Sequence, residues 1–121
     1  MNCSPYDYLS KKELGVWDKA KRCACPDNDC EQNHKICALC LGTIVFAAYV
    51  ECQPNSDFKW NIDHIIPKKR FNSLIGEAIK RKIVSVNDER NLQIVHVSCN
   101  EIKGDNFNSN EINGYGIIEY N

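Results

Sequence analysis

The sequence predicts a small α+β domain held together by metal ligands more than by a large apolar core. Three observations point there. The chain has 121 residues, enough for one ordinary domain and too few for two. Short β-branched or aromatic runs alternate with segments of helical periodicity, and no internal repeat is visible. Eight residues are cysteine, in a chain whose start lacks the basic and apolar regions of a secretory leader. Without an export signal, that count points to metal ligation more than to a disulfide framework.

Composition narrows the function classes. Hydrophobic residues make up 43% and charged residues 26%, a globular balance. Fifteen Lys and Arg face sixteen Asp and Glu, net −1, which excludes a uniformly basic coat for nucleic acid but not a local patch. No apolar run approaches the ~20 residues of a spanning helix, so a cytoplasmic protein without membrane association is expected. The charge is uneven: residues 1–67 carry net −2, 68–90 net +4 and 91–121 net −3. Lys68, Lys69 and Arg70, with Lys80, Arg81 and Lys82, therefore form the candidate polyanion-facing surface.

The elements follow in order. Ser10 and Glu13 read as a capping box, and Leu14, Trp17 and Ala20 recur behind it, predicting a helix over roughly 11–22. Residues 23–34 read as an irregular, ligand-bearing loop. Residues 43–50 are β-branched and aromatic, a strand candidate, and Trp60 to Ile65 alternate like a second strand. Phe71, Leu74, Ile75, Ala78, Ile79 and Ile83 form one stripe of an amphipathic helix, its polar face carrying Glu77, Lys80, Arg81 and Lys82. Leu92 to Val95 is a short strand, and a helix runs from near Ser98 to Gly104, a suitable C′ residue. The whole chain, 1–121, reads as one domain: an N-terminal helix and Cys-rich loop (1–36), a core (37–104) and a tail (105–121).

Cys37-Ala38-Leu39-Cys40 is a CxxC, and His96-Val97-Ser98-Cys99 an HxxC. Two residues between ligands let a tight turn aim both side chains at one tetrahedral ion, so two such knuckles close a Cys3His site. Thiolates and imidazole suit Zn²⁺, and the closed site makes it structural. Cys23, Cys25, Cys30 and His34 are candidates for a second zinc. Free thiols, or Cys3 or Cys52 in place of His34, are the alternatives there.

Asp63-His64-Ile65-Ile66-Pro67, then Asn91-Leu92-Gln93, then His96 through Gly104 is the most specific pattern in the chain. In this order, behind a CxxC, it resembles the HNH nuclease family over roughly residues 37–104. The resemblance implies a zinc-stapled ββα-metal (His-Me finger) core, to which this chain adds the N-terminal helix and the inserted amphipathic helix read above. It implies a metal-dependent endonuclease acting on double-stranded DNA with Mg²⁺ or Mn²⁺. His64 would be the general base, Asp63 and Asn100 would hold the catalytic metal, and Asn91 would fix the hairpin loop and orient His64. The last family letter is usually histidine; Asn100 makes this an HNN version, and His96 replaces the more usual cysteine of the second knuckle.

The residue chemistry agrees with those roles. Imidazole titrates near neutrality, and a hard cation prefers the carboxylate and amide oxygens of Asp63 and Asn100. Lys68, Lys69 and Arg70 follow the active-site strand directly and, with Lys80, Arg81, Lys82 and Lys103, are the expected phosphate contacts. One metal site cuts one strand per event, so double-strand cleavage requires a dimer or two encounters. A non-catalytic zinc module binding nucleic acid or protein is the rival reading, and a toxin nuclease using the same site a third.

Overall fold

In the computed structural model, residues 3–23 and 33–120 are described. Ser10 opens the first helix as the capping box requires: its hydroxyl accepts from the Glu13 amide at 3.1 Å, and the Glu13 carboxylate accepts from the Ser10 amide at 2.9 Å. Helix α1 (Lys11–Lys19) stops sooner than the periodicity suggests, because Ala20 is already extended. Val16 and Trp17 are its buried residues.

Strand β1 (His34–Ile36) pairs antiparallel with β2 (Thr43–Val45), so the Cys37–Cys40 knuckle is the turn of a hairpin. The strand expected over 43–50 is cut short, and residues 46–48 form a 3-10 turn instead. The Phe46 carbonyl leaves the ladder to accept from the Trp60 indole N–H at 3.1 Å. Phe46 then packs with Trp17 at 4.9 Å between ring centroids, and Trp17 with Trp60 at 5.0 Å. Burying this aromatic group outweighs the five further strand residues the composition allows.

Strand β3 (Trp60–His64) pairs antiparallel with β4 (Leu92–His96), placing Asp63 opposite Gln93 and His64 opposite Leu92. Helix α3 (Val97–Lys103) follows β4 directly and ends at Gly104, whose φ of +53° is cheap only for glycine. The described residues thus form an α+β fold with two two-stranded sheets and three α-helices. Its main core gathers Val16, Trp17, Leu39, Ile44, Trp60, Ile94 and Val95.

The long helix expected from Phe71 to Ile83 is reduced to α2 (Ile75–Lys80), with 3-10 turns before it. Lys82 takes φ +61°, and the amides of Lys82 and Ile83 donate back to Ile79 and Ala78, a Schellman stop. Phe71, Ala78 and Ile83 are buried with Ile66 in a second, small core, while Ile75 and Ile79 stay exposed. A stripe that contacts only this small core buries a narrower face than the periodicity allows. The tail is drawn in where the Ile118 amide donates to Leu39 O at 2.7 Å. It turns at Gly114, where φ is +79° and a Cβ would lie 2.6 Å from the Ile65 carbonyl oxygen.

Cys3 and Cys52 form a disulfide, which rules out the alternative that either replaces His34 as a zinc ligand. The 3-10 turn at Pro5–Asp7 and the turn after Tyr49 bring the two ends of that stretch together, with Tyr6 against Phe46 at 5.1 Å. No helix among the described residues is long and apolar enough to cross a membrane.

Candidate functional site

Cys37 and Cys40 come from the β1–β2 turn, His96 from the end of β4 and Cys99 from the first turn of α3. Their ligand atoms all lie within 4.8 Å of one another, the one such cluster of His, Cys or acidic groups among the described residues. The surroundings fit a tetrahedral ion. The His96 ring turns Nδ1 toward the cluster, 3.3 Å from Cys40 Sγ, while Nε2 lies 2.9 Å from Thr43 O and donates to it. With an ion bound, that carbonyl would hold the neutral tautomer with its lone pair inward, as is common for the outer partner of a metal-bound imidazole. Backbone amides of Leu39 and His96 donate to Cys37 Sγ at 3.4 Å, and that of Gly42 to Cys40 Sγ at 3.3 Å.

The charge balance asks for a cation. Burial raises the Cys37 thiol, but hydrogen bonding from the His96 side chain and from backbone amides outweighs it and holds the thiol at about 6. Burial, with the Cys37 charge adding to it, pushes Cys99 up to about 12, against the hydrogen bond to Tyr120. Cys40 is raised by the same burial and the same neighbour. Once one thiolate has formed, the others resist ionising beside it; a dication removes that resistance. This group can hold a zinc ion. Tyr120, whose hydroxyl lies 3.1 Å from Cys99 Sγ, was not legible in the sequence, since it reaches the site from the far end of the tail.

The second proposed set cannot be assembled here: Cys23 and His34 lie within the described residues, Cys25 and Cys30 outside them.

Around β3 the expected residues meet in part. Asp63, His64, Asn100, Lys68 and Lys69 line one cleft of about 330 Å³, with Pro67, Gly104 and Asp105. His64 also lines a neighbouring cleft of about 300 Å³ with Ser10, Lys12, Lys68 and Asn87. It stands on the rim between the two. Asp63 is 5% exposed, and both its oxygens are engaged. Oδ2 accepts from Gln93 Nε2 at 2.9 Å and pairs with Lys103 Nζ at 3.3 Å, while Oδ1 lies 3.4 Å from the same ammonium. Burial raises its carboxyl, opposed mainly by Lys103. The Asn100 amide nitrogen donates to Asn61 Oδ1 at 3.0 Å, so the amide oxygen is the atom left with ligand capacity.

Several expectations are corrected. Lys103 is not a phosphate contact but a fully buried ammonium, which also donates to His64 O at 2.9 Å. Asn91 does fix the loop: fully buried, it accepts from the Ile66 amide and donates to the carbonyls of Ile66 and Val86. It does not hold the His64 ring. That contact belongs to Asn87, whose Oδ1 lies 2.9 Å from His64 Nε2.

The Arg81 guanidinium is occupied by the carbonyls of Ser109, Glu111 and Ile112 and lies over the Phe107 ring, clamping the tail. Lys80 pairs with Glu77 at 3.5 Å, and Lys82 is the left-handed helix stop. Lys69 pairs with the Asp105 carboxylate at 3.7 Å, and Arg70 donates to the Asp105 carbonyl at 3.3 Å. Lys68 remains an exposed ammonium at the cleft. Asn87, Gln93 and Lys12 left no sequence signal, because each acts through a partner at least 23 residues away.

No protein-family model matches this chain, and no curated protein and no solved structure matches it.

Proposed function

We propose that the chain is a metal-dependent DNA endonuclease of the HNH kind, in its HNN form, built on a zinc-stapled ββα-metal core. The observation that carries this reading is the shared cleft. A histidine, a carboxylate, an amide oxygen and exposed lysines converge where β3 meets the helix that follows the zinc ligands. His64 takes a proton from water, the water oxygen attacks phosphorus, and the bond to the leaving oxygen breaks. Lys68 and Lys69 hold the flanking phosphates without reading bases.

Asp63 and Asn100 would hold Mg²⁺ or Mn²⁺, which when bound offsets charge on the phosphate. One carboxylate and one amide, with Lys103 already sharing Asp63, suit a hydrated ion completed by substrate phosphate oxygens and water. The zinc site keeps β4 and α3 docked on the knuckle and takes no part in the chemistry.

The Asp63–Lys103 pair supports a second reading, in which Asp63 is structural and the chain is a non-catalytic zinc module binding nucleic acid or protein. Supercoiled plasmid incubated with the zinc-loaded protein and Mg²⁺ or Mn²⁺ separates the two. The nuclease reading expects metal-dependent relaxation or linearisation, lost with EDTA and reduced at least a hundredfold in His64→Ala. Intact plasmid under both metals, or cleavage indifferent to His64→Ala, overturns it.

A further inference from the structure

We infer that Asn87 is the positioning residue of His64, and that the N-terminal helix holds it in place through Lys12. The inference rests on His64 being the base proposed above, and adds a part of the chain for which the family resemblance implied no role. His64 is the last residue of β3, half-buried on the rim between two clefts. A neutral imidazole on such a rim has two tautomers and a ring free to turn, and only one arrangement offers a lone pair to water. The amide oxygen of Asn87, 2.9 Å from Nε2, accepts only. It therefore selects the Nε2–H tautomer and leaves the lone pair on Nδ1.

Asn87 is itself anchored although its side chain is exposed. Lys12 Nζ on α1 donates to the Asn87 carbonyl at 2.8 Å. On one side the Val86 carbonyl is held by the buried Asn91 amide at 2.9 Å. On the other, Asp88 accepts from the amides of Val84 at 2.8 Å and Arg90 at 3.1 Å. A second tie from α1, Lys19 Nζ to the Glu89 carbonyl at 2.9 Å, fixes the same segment two residues on. The amide facing His64 thus sits on a segment braced by α1 and the loop-fixing Asn91. This is the order of support a catalytic side chain needs if its orientation is to survive thermal motion.

The test uses the full-length, zinc-loaded protein and two readouts. Long-range proton–nitrogen spectra of the histidine-labelled protein, taken with imidazoles neutral and assigned with His64→Gln, report the tautomer directly. Plasmid cleavage kinetics report kcat and KM. The wild type is expected as the Nε2–H tautomer. Asn87→Leu should give a tautomer mixture and lower kcat about tenfold with KM little changed. Asn87→Asp, which keeps the acceptor, should recover most of both, and Lys12→Met should fall between.

An Nδ1–H tautomer in the wild type overturns the inference. So does an unchanged spectrum in Asn87→Leu, or His64-dependent cleavage that Asn87→Leu leaves intact. If no variant cleaves but the tautomer still follows position 87, the positioning stands and the nuclease reading alone fails. Asn87 is exposed, so melting temperature and zinc content should be preserved in all variants.

Discussion

Replacing Lys103 by methionine keeps the aliphatic stem and removes only the ammonium. In the native fold that ammonium, fully buried, meets both Asp63 oxygens at 3.3 and 3.4 Å and the His64 carbonyl at 2.9 Å. Without it the Asp63 carboxylate, 5% exposed, keeps Gln93 as its remaining donor. Breaking a buried pair by removing one partner costs about 3–5 kcal/mol, whereas replacing both by apolar groups is often neutral. Methionine fills most of the lost volume, so the lower end, about 3 kcal/mol, is expected, a fall in Tm on the order of 10 °C. Lys103→Met combined with Asp63→Leu should recover most of the loss, since Gln93 still donates to Asn113 O at 3.0 Å.

The pH dependence has a defined sign. Burial already raises the Asp63 carboxyl above its ordinary 3.8, with Lys103, Gln93 and His64 opposing. Losing Lys103 raises it further, so the folded variant favours the protonated acid. Its deficit is then full above the folded value and shrinks as pH falls toward the unfolded one. Urea unfolding at pH 7 and about pH 4.5 should show the gap between variant and wild type narrowing in acid. A Lys103→Met protein within 1 kcal/mol of wild type at pH 7, or a gap that widens in acid, refutes the reasoning.

Three further expectations follow from the zinc ligands and the loop. Metal analysis should find at least one zinc per chain, and chelation or Cys37→Ser should melt the fold by several kcal/mol; an unchanged melting curve after chelation refutes the staple. Because Cys40 and Cys99 are raised and must lose protons to bind, zinc affinity measured by competition should weaken steeply below neutral pH. Asn91→Ala leaves the Ile66 amide and the Ile66 and Val86 carbonyls without their buried partner, a loss of about 3 kcal/mol by urea unfolding; a loss below 1 kcal/mol contradicts that account.

What was legible in the sequence is what short-range geometry decides. Two residues between Cys37 and Cys40, and two between His96 and Cys99, are enough to turn each pair toward one ion. The four ligand atoms do meet. Ser10 and Glu13 close a capping box within one turn, and Gly104 ends α3 at a φ that disfavours other residues. The pair β3 and β4 could be seen in outline from alternation alone. Even so, Asp63 opposite Gln93 is a fact of register, set by which faces are buried when distant strands meet.

Tertiary structure decided the rest, for the reason that a polar side chain's partner is chosen by whatever the fold brings within 3 Å. Lys103 was an expected phosphate contact and became the buried partner of a carboxylate 40 residues away. Arg81 looked like a phosphate contact and became the clamp of the tail. Thr43 to Val50 has the composition of a strand, yet the Trp17, Phe46 and Trp60 rings pack better if the chain turns after Val45. Local spacing marks which residues can do chemistry. Only the folded contacts say that Asp63 reaches the cleft already paired with Lys103, while His64 and Lys68 stand at its edge.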